Sequence, residues 1–274
     1  MIYYKTEEEI ALMRESGQLV SRALEFVAET IREGMTGKEL DALTDDFIMQ
    51  HNAWPSFKGF NDFPNALCIS INEQIVHGIP SSRPFEVGDI VSVDCGVTLN
   101  GFVGDSAYTF VIGETKPELV KLLQVTNNSL YLGIGQAIAG NRIGDISYAI
   151  QDYVERQNKF WVPRELTGHG VGRDLHEEPV VSNNGKRGKG TKMLSGLVIA
   201  IEPMVNIGTK TIKQLNDNWT LVTGDRKPSA HFEHTVVVRP KKAEILTDHS
   251  LVEIAVKKNS SLMFVTEKSA TFAP

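Results

Sequence analysis

Long apolar stretches are missing from this 274-residue chain. No window approaches the run of about 18 apolar residues that a membrane-spanning helix needs. The opening MIYYKTEEEI also lacks the basic region and apolar core of a secretion signal. Cysteine is equally scarce: Cys68 and Cys95 are far apart and form no C-x-x-C pair, which argues against a disulfide framework and fits a reducing compartment. Positive charge is not in excess, since 28 Lys and Arg against 34 Asp and Glu give a net charge of −6. Binding to DNA through bulk charge is therefore not expected. Neither a Walker-type loop nor G-x-G-x-x-G occurs, so the common phosphate cradles are absent. What remains is a cytoplasmic globular protein with no membrane partner, expected to act as a monomer.

The most informative stretch that is present runs from Ile90 to Val111, IVSVDCGVTLNGFVGDSAYTFV. Two apolar runs flank Asn100-Gly101, the dipeptide suited to a two-residue type I′ hairpin turn. With those two residues as the loop, Asp105 falls opposite Gly96 and Asp94 opposite Ala107. Alternation puts Asp94, Gly96 and Asp105 on one face and Val91, Val93 and Cys95 on the other. Diagonal neighbours of this kind sit roughly 7–8 Å apart. Two carboxylates set among Val, Phe and Tyr need a counter-charge, and cations between them would supply one.

The rest of the chain contains an echo of that hairpin. Thr6-x-x-Glu9 and Thr36-x-x-Glu39 are capping boxes opening two helices, the first carrying Ile10, Met13, Val20, Leu24 and Val27. From Pro117 the pattern restarts, with a helix expected to run towards Ala139 and a second carrying Ile146, Ile150 and Val154. One constant shift carries Gly34 onto Gly140, Leu40 onto Ile146, Phe47 onto Tyr153 and Ile48 onto Val154. His77-Gly78 is echoed by His169-Gly170, the strand ending in Asp94 by the one ending in Glu202, and Asp105 by Glu233. Two such halves, about residues 1–112 and 113–248, can close about an approximate two-fold axis in an α/β (α+β) fold. Residues 1–248 then form a single catalytic domain. Closure would bring Asp94 and Asp105 against Glu202 and Glu233.

Four carboxylates with one or two histidines form an oxygen-rich site for divalent ions, and an imidazole shifts preference towards Mn, Fe, Co or Zn. Two ions roughly 3.5–4 Å apart balance four carboxylates better than one does, and can hold a bridging water as nucleophile. Of seven histidines, His77, His169 and His176 lie in Gly-rich connections beside the acidic strands. The glycines of GHGVG are expected to give the backbone close approach to the site. His231 shares a face with Glu233, whereas alternation turns His234 away and excludes it as a direct ligand. His51 and His249 have no such context and are taken as structural.

The segments VHGIP (76–80), VDCG (93–96), GDSAYTF (104–110), GHGVGRDLHEEP (168–179), IEPM (201–204) and FEHT (232–235) resemble the methionine aminopeptidases of the bacterial type I form. The resemblance covers about residues 1–248. It implies the pita-bread fold, two divalent ions (Mn, Fe or Co rather than Zn or Mg) and removal of N-terminal methionine from nascent chains or peptides with a small second residue. By resemblance, Asp94 would chelate one ion, Asp105 and Glu233 would bridge both, and His169 and Glu202 would complete the other. Glu202 would also act as general base on the bridging water. His77 would contact the scissile-amide nitrogen side, and His176 would donate to the carbonyl oxygen. Phe57, Phe60, Phe63, Cys68, Leu175 and Trp219 match the lining of the methionine pocket, where aromatic rings suit a thioether.

Three positions depart from the common pattern: Gly96 for Thr, Val103 for His and His231 for Gln. Lys186, Arg187, Lys189 and Lys192, with Lys210 and Lys213, form a basic cluster that could contact ribosomal RNA. The alternatives are a related peptidase cutting before proline, and a catalytically silent relative serving as a binding module. Residues 249–274 lie beyond the resemblance as an extension with no functional reading.

Overall fold

A computed structural model describes residues 1–265. Helix α1 (Glu7–Thr30) and helix α2 (Gly37–Gln50) each begin with the expected capping box. In α1 the Glu9 amide donates to Thr6 Oγ1 and the Thr6 amide donates to the Glu9 carboxylate, an arrangement worth about 1 kcal/mol to a helix start. The apolar stripe of α1 is fully buried at Ile10, Met13, Val20, Leu24 and Val27.

The hairpin forms in the expected register. Strands Ile90–Leu99 and Phe102–Val111 pair with Asp94 opposite Ala107 and Gly96 opposite Asp105. Asn100 and Gly101 take φ of 53° and 77°, as a type I′ turn requires. Strand Leu67–Ile71 flanks the pair and sets Cys68 opposite Asp94. Helix α1 crosses the hairpin at very close range. A Cβ added to Gly104 would stand 2.7 Å from the Gly17 amide nitrogen, so the two backbones pack without side chains between them.

The second half repeats the order with altered lengths. Helix α3 (Pro117–Ile134) ends well before Ala139. The chain is drawn off because Ala139 N donates to Arg239 O at 3.0 Å, pairing that segment with the second sheet. Helix α4 (Ile143–Gln151) continues as a wider π turn through Asp152–Gln157, which buries Val154. The second sheet is antiparallel, in the order Glu244–Ile245, His234–Val237, Val198–Ile201, Thr167–Gly170, Glu177–Ser182.

Glu233 does not lie within one continuous strand. Ser229–His231 pairs with Met204–Asn206, whereas His234–Val237 pairs with Val198–Ile201. Between them the Glu233 amide donates to Ala107 O at 3.0 Å, on the first hairpin. Hydroxyl groups continue this junction between the halves. Thr235 Oγ1 donates to Asp105 O at 2.8 Å and Thr109 Oγ1 to His231 O at 2.7 Å. These bonds satisfy backbone groups where the two sheets meet. Helix α5 (Ser250–Lys258) lies against α1, burying Val252, Ala255 and Val256. The remainder of the expected C-terminal extension, 266–274, falls outside the described residues. Among those described, Cys68 and Cys95 are both free and buried, and no helix is long and apolar enough to cross a membrane.

Candidate metal centre and substrate cavity

One cavity of about 300 Å³ opens between the two sheets, and every residue assigned a site role above lines it. Its floor is acidic. Asp94 projects from the middle of its strand and Asp105 from the return strand, where only 3 % of its surface is exposed. Glu202 follows directly on Val198–Ile201, and Glu233 sits in the break described above, 2 % exposed. Asp105, His169 and Glu233 each offer a ligand atom, and these atoms lie within 4.8 Å of one another. His169 Nε2 is 3.7 Å from Asp105 Oδ2 and 3.5 Å from Glu202 Oε1. Such separations are too long for hydrogen bonds. They suit atoms arranged around a shared ion, with ligand bonds of about 2.0–2.2 Å.

The carboxylates are only partly met by protein donors. Among the described residues, Asp94 Oδ1, Asp105 Oδ1 and Glu233 Oε1 are buried without a hydrogen-bond partner. Buried acceptors of this kind are costly unless a cation meets them. The cost appears in the proton affinities. Burial lifts Asp94 to about 7. Asp105 and Glu233 are driven well above the carboxylate range, first by burial and then by the neighbouring acids. Glu202 follows them, through burial and the charge of Asp94. The donor set of oxygens and one imidazole therefore fits divalent cations.

His169 could serve as a ligand to such a cation. Its Nδ1 lies 2.9 Å from Gly170 O, which leaves Nε2 facing the acids as a lone pair. Burial, with His176 beside it, lowers its pKa to about 3, so the ring is neutral. The glycines around it permit close backbone approach. A Cβ on Gly168 would fall 2.3 Å from Ala200 O and 3.3 Å from Glu202 Cγ, and one on Gly170 2.4 Å from Glu178 O. They let three strands close upon His169 beside the acidic floor.

At the mouth, His77 takes φ of 56°, and enclosure in the cleft together with His176 holds it near 4. The His176 ring stands 4.2 Å from that of His169 and edge-on to Phe60 at 5.0 Å. Desolvation lowers its pKa too. The apolar end is closed by Phe57, Phe63, Cys68 and Leu175, all buried, with Phe60 and Trp219 half-buried around them. Trp219 meets Phe63 edge-to-face at 5.1 Å.

Sequence reasoning passed over Leu166 and Met204, which also line the cavity. Both adjoin motifs, Leu166 two residues before GHG and Met204 at the end of IEPM, and that adjacency was the available signal. His231 lies behind Glu202, its Nε2 3.7 Å from Glu202 Oε2 and 4.0 Å from Glu233 Oε2. His234 faces the other way, towards Tyr131 and Thr247. Gly96 is explained by Phe57, whose Cε1 would stand 2.8 Å from an added Cβ. The ring fills the space that a threonine would need.

An antiparallel α/β fold enclosing acids and an imidazole in this way defines a metal-dependent hydrolase. Comparison with known proteins agrees: the profile of metallopeptidase family M24 matches residues 11–240. A methionine aminopeptidase of Clostridium perfringens is 50% identical over 247 residues, covering 90% of this chain and 99% of that one. Methionine aminopeptidase 1 of Bacillus subtilis is 48% identical over 247 residues, again 90% of this chain and 99% of that protein. The crystal structure of methionine aminopeptidase from Rickettsia prowazekii superposes with a TM-score of 0.89 at 37% identity, covering 90% of this chain and all of that one. The chain belongs to metallopeptidase family M24 and, within it, to the methionine aminopeptidases of the bacterial type I form, with their pita-bread fold. An X-Pro aminopeptidase from Thermotoga maritima shares the fold alone, with a TM-score of 0.70 at 21% identity, and this chain covers 62% of it.

Proposed function

We propose that this chain removes N-terminal methionine from peptides and nascent proteins whose second residue is small, using two divalent cations. The observation that carries the reading is the set of unpartnered buried carboxylate oxygens at the floor of a cavity whose other end is aromatic and sulfur-lined. Asp94 would hold one ion, Asp105 and Glu233 both, and His169 and Glu202 the other. By the family resemblance the ions are Mn, Fe or Co rather than Zn or Mg, and the oxygen and imidazole donors accommodate the first three. Bound there, the ions supply Lewis-acid polarisation and an activated water.

The protein's own groups do the rest. Glu202, beside the attacking oxygen, would take the proton released there. His176 is neutral in its partly desolvated position and donates a hydrogen bond to the substrate carbonyl oxygen as negative charge grows there. His77 holds the nitrogen side of the scissile amide. Phe57, Phe60, Phe63, Cys68, Leu175 and Trp219 enclose the methionine thioether and exclude water. The catalytic groups all lie within residues 1–248, as one catalytic domain, and the chain acts in the cytoplasm and as a monomer. Lys186, Arg187, Lys189, Lys192, Lys210 and Lys213 are exposed and form a contact for ribosomal RNA.

Hydrolysis of Met-Ala-Ser, Met-Lys and Ala-Pro peptides, with and without chelator, tests the assignment. Chelator-sensitive turnover of Met-Ala-Ser above the other two is expected. Preference for Ala-Pro, or no turnover after metal addition, would overturn it in favour of a proline-directed or silent relative. Ribosome co-sedimentation unchanged by Lys-to-Glu reversal in the basic cluster would remove the RNA contact.

A further inference from the structure

Behind the acidic floor lies a segment that the proposed chemistry does not use. After α5, Asn259 Nδ2 donates to Ala28 O at 2.8 Å and Ile31 O at 2.9 Å, satisfying carbonyls left open where α1 ends. Gly113 N then donates to Ser261 O at 2.7 Å and Met263 N to Val111 O at 3.0 Å, binding the extension to the far end of the hairpin. The extension is thus fastened at both its helix and its tail to elements that carry the site.

Its first residue, His249, is 2 % exposed and lies 3.9 Å from the His234 ring and edge-on to Tyr108 at 5.2 Å. His249 Nε2 is 2.9 Å from Ser106 Oγ, and Ser106 Oγ donates to Glu233 O at 2.7 Å. A hydroxyl has one proton. Because Ser106 gives its proton to Glu233 O, it must accept from His249, which assigns the Nε2–H tautomer to that ring. Glu233 is tied on its other side by its amide to Ala107 O at 3.0 Å. Both ends of the Glu233 residue are therefore anchored on the two residues that follow Asp105.

We propose that His249 is a positioning residue for the metal centre: acting through Ser106, it fixes the backbone that carries Asp105 and Glu233, so that the extension is a working part of the site. This rests on the metal reading above. It predicts that removing the donor, without removing the ring, weakens metal binding although His249 touches neither ion nor substrate.

The test is calorimetric titration of metal-free, full-length protein with Mn(II), alongside the visible absorption of the Co(II) form. His249→Phe keeps the ring packing and loses the N–H. It should bind Mn(II) about 10-fold more weakly and alter the Co(II) bands, in the range known for supporting groups around metal ligands. His249→Gln, whose Nε2 can replace the imidazole donor, should return affinity to within about 3-fold of wild type. Ser106→Ala should weaken binding as His249→Phe does, and the double variant should be no weaker than either alone, as expected for one shared relay. Unchanged affinity in both His249→Phe and Ser106→Ala, no rescue by Gln, or additive losses would overturn the role. If His249→Phe does not fold, Ser106→Ala and His249→Gln decide the matter by the same criteria. Wild-type protein that takes up no Mn(II) would defeat the metal reading itself, an outcome distinct from equal binding by wild type and variants.

Discussion

Stripping the metal should turn the buried acids into a pH-dependent weakness. The native protein holds Asp94 at about 7 and Asp105, Glu202 and Glu233 well above their ordinary range of 3.8 to 4.5. Above the ordinary values the unfolded chain has lost protons that the native state keeps, so stability falls as pH rises. The buried histidines work in the opposite sense. His169 and His231 near 3 and His77 near 4 stay neutral in the fold, whereas unfolded they take protons below 6.5. Their contribution rises with pH through about 6.5 and levels off by about pH 7.5. The two groups oppose each other up to that point, and beyond it the acids dominate. Each acid that still holds its proton there costs about 1.4 kcal/mol per pH unit, so the metal-free protein should lose stability steadily from about pH 7.5 to 8.5. Mn(II) should bind the deprotonated ligands, remove this slope, and stabilise more as pH rises. Urea unfolding of chelator-treated and Mn(II)-loaded protein across that window measures both curves. Metal-free stability that is flat or rising from about pH 7.5 to 8.5 would refute the account of the acidic floor.

Three further outcomes are expected. Asp94→Ala should lose bound metal, whereas His176→Ala should keep it and lose roughly 10²–10³ in kcat; equal metal loss in both, by elemental analysis, would contradict the division of roles. Gly96→Ala places a Cβ 2.8 Å from Phe57 Cε1 and 3.1 Å from Ser56 Cβ, so it should raise KM for Met peptides and cost about 1–3 kcal/mol in urea unfolding. Phe57→Leu in the same chain should recover part of that loss, and no recovery would place the clash elsewhere. Gly104→Ala would set a methyl 2.7 Å from Gly17 N, between two backbones that cannot separate locally, and should cost about 3 kcal/mol; an unchanged midpoint would show that α1 can move aside.

Much of this was legible because it is local. The capping boxes at Thr6 and Thr36, the turn at Asn100-Gly101 and the two-residue alternation set both helix starts and the hairpin register. The residues lining the cavity were reached through motifs, supported by the internal echo. What could not be read depended on long-range bonds. Helix α3 stops at Ile134 because Arg239, far along the chain, takes over the following backbone. Glu233 sits in a break because Ala107 claims its amide, and the glycines of GHGVG answer to strands at Ala200 and Glu178. Thr109, Thr235 and Ser106 gave no signal, since hydroxyls that join two halves follow no period. His249 looked inert for the same reason: its partner is Ser106, on a strand it never neighbours in sequence.

The joining of Glu233 to the strand that carries Asp105 has a consequence for how the enzyme is born. During synthesis the first hairpin leaves the ribosome with its two acids long before His169, Glu202 and Glu233 exist, so a growing chain owns half a grip and no peptidase. On the proposed ligand set, competence would arrive late, once the second-half acids dock, and prematurely ended products would emerge without peptidase activity.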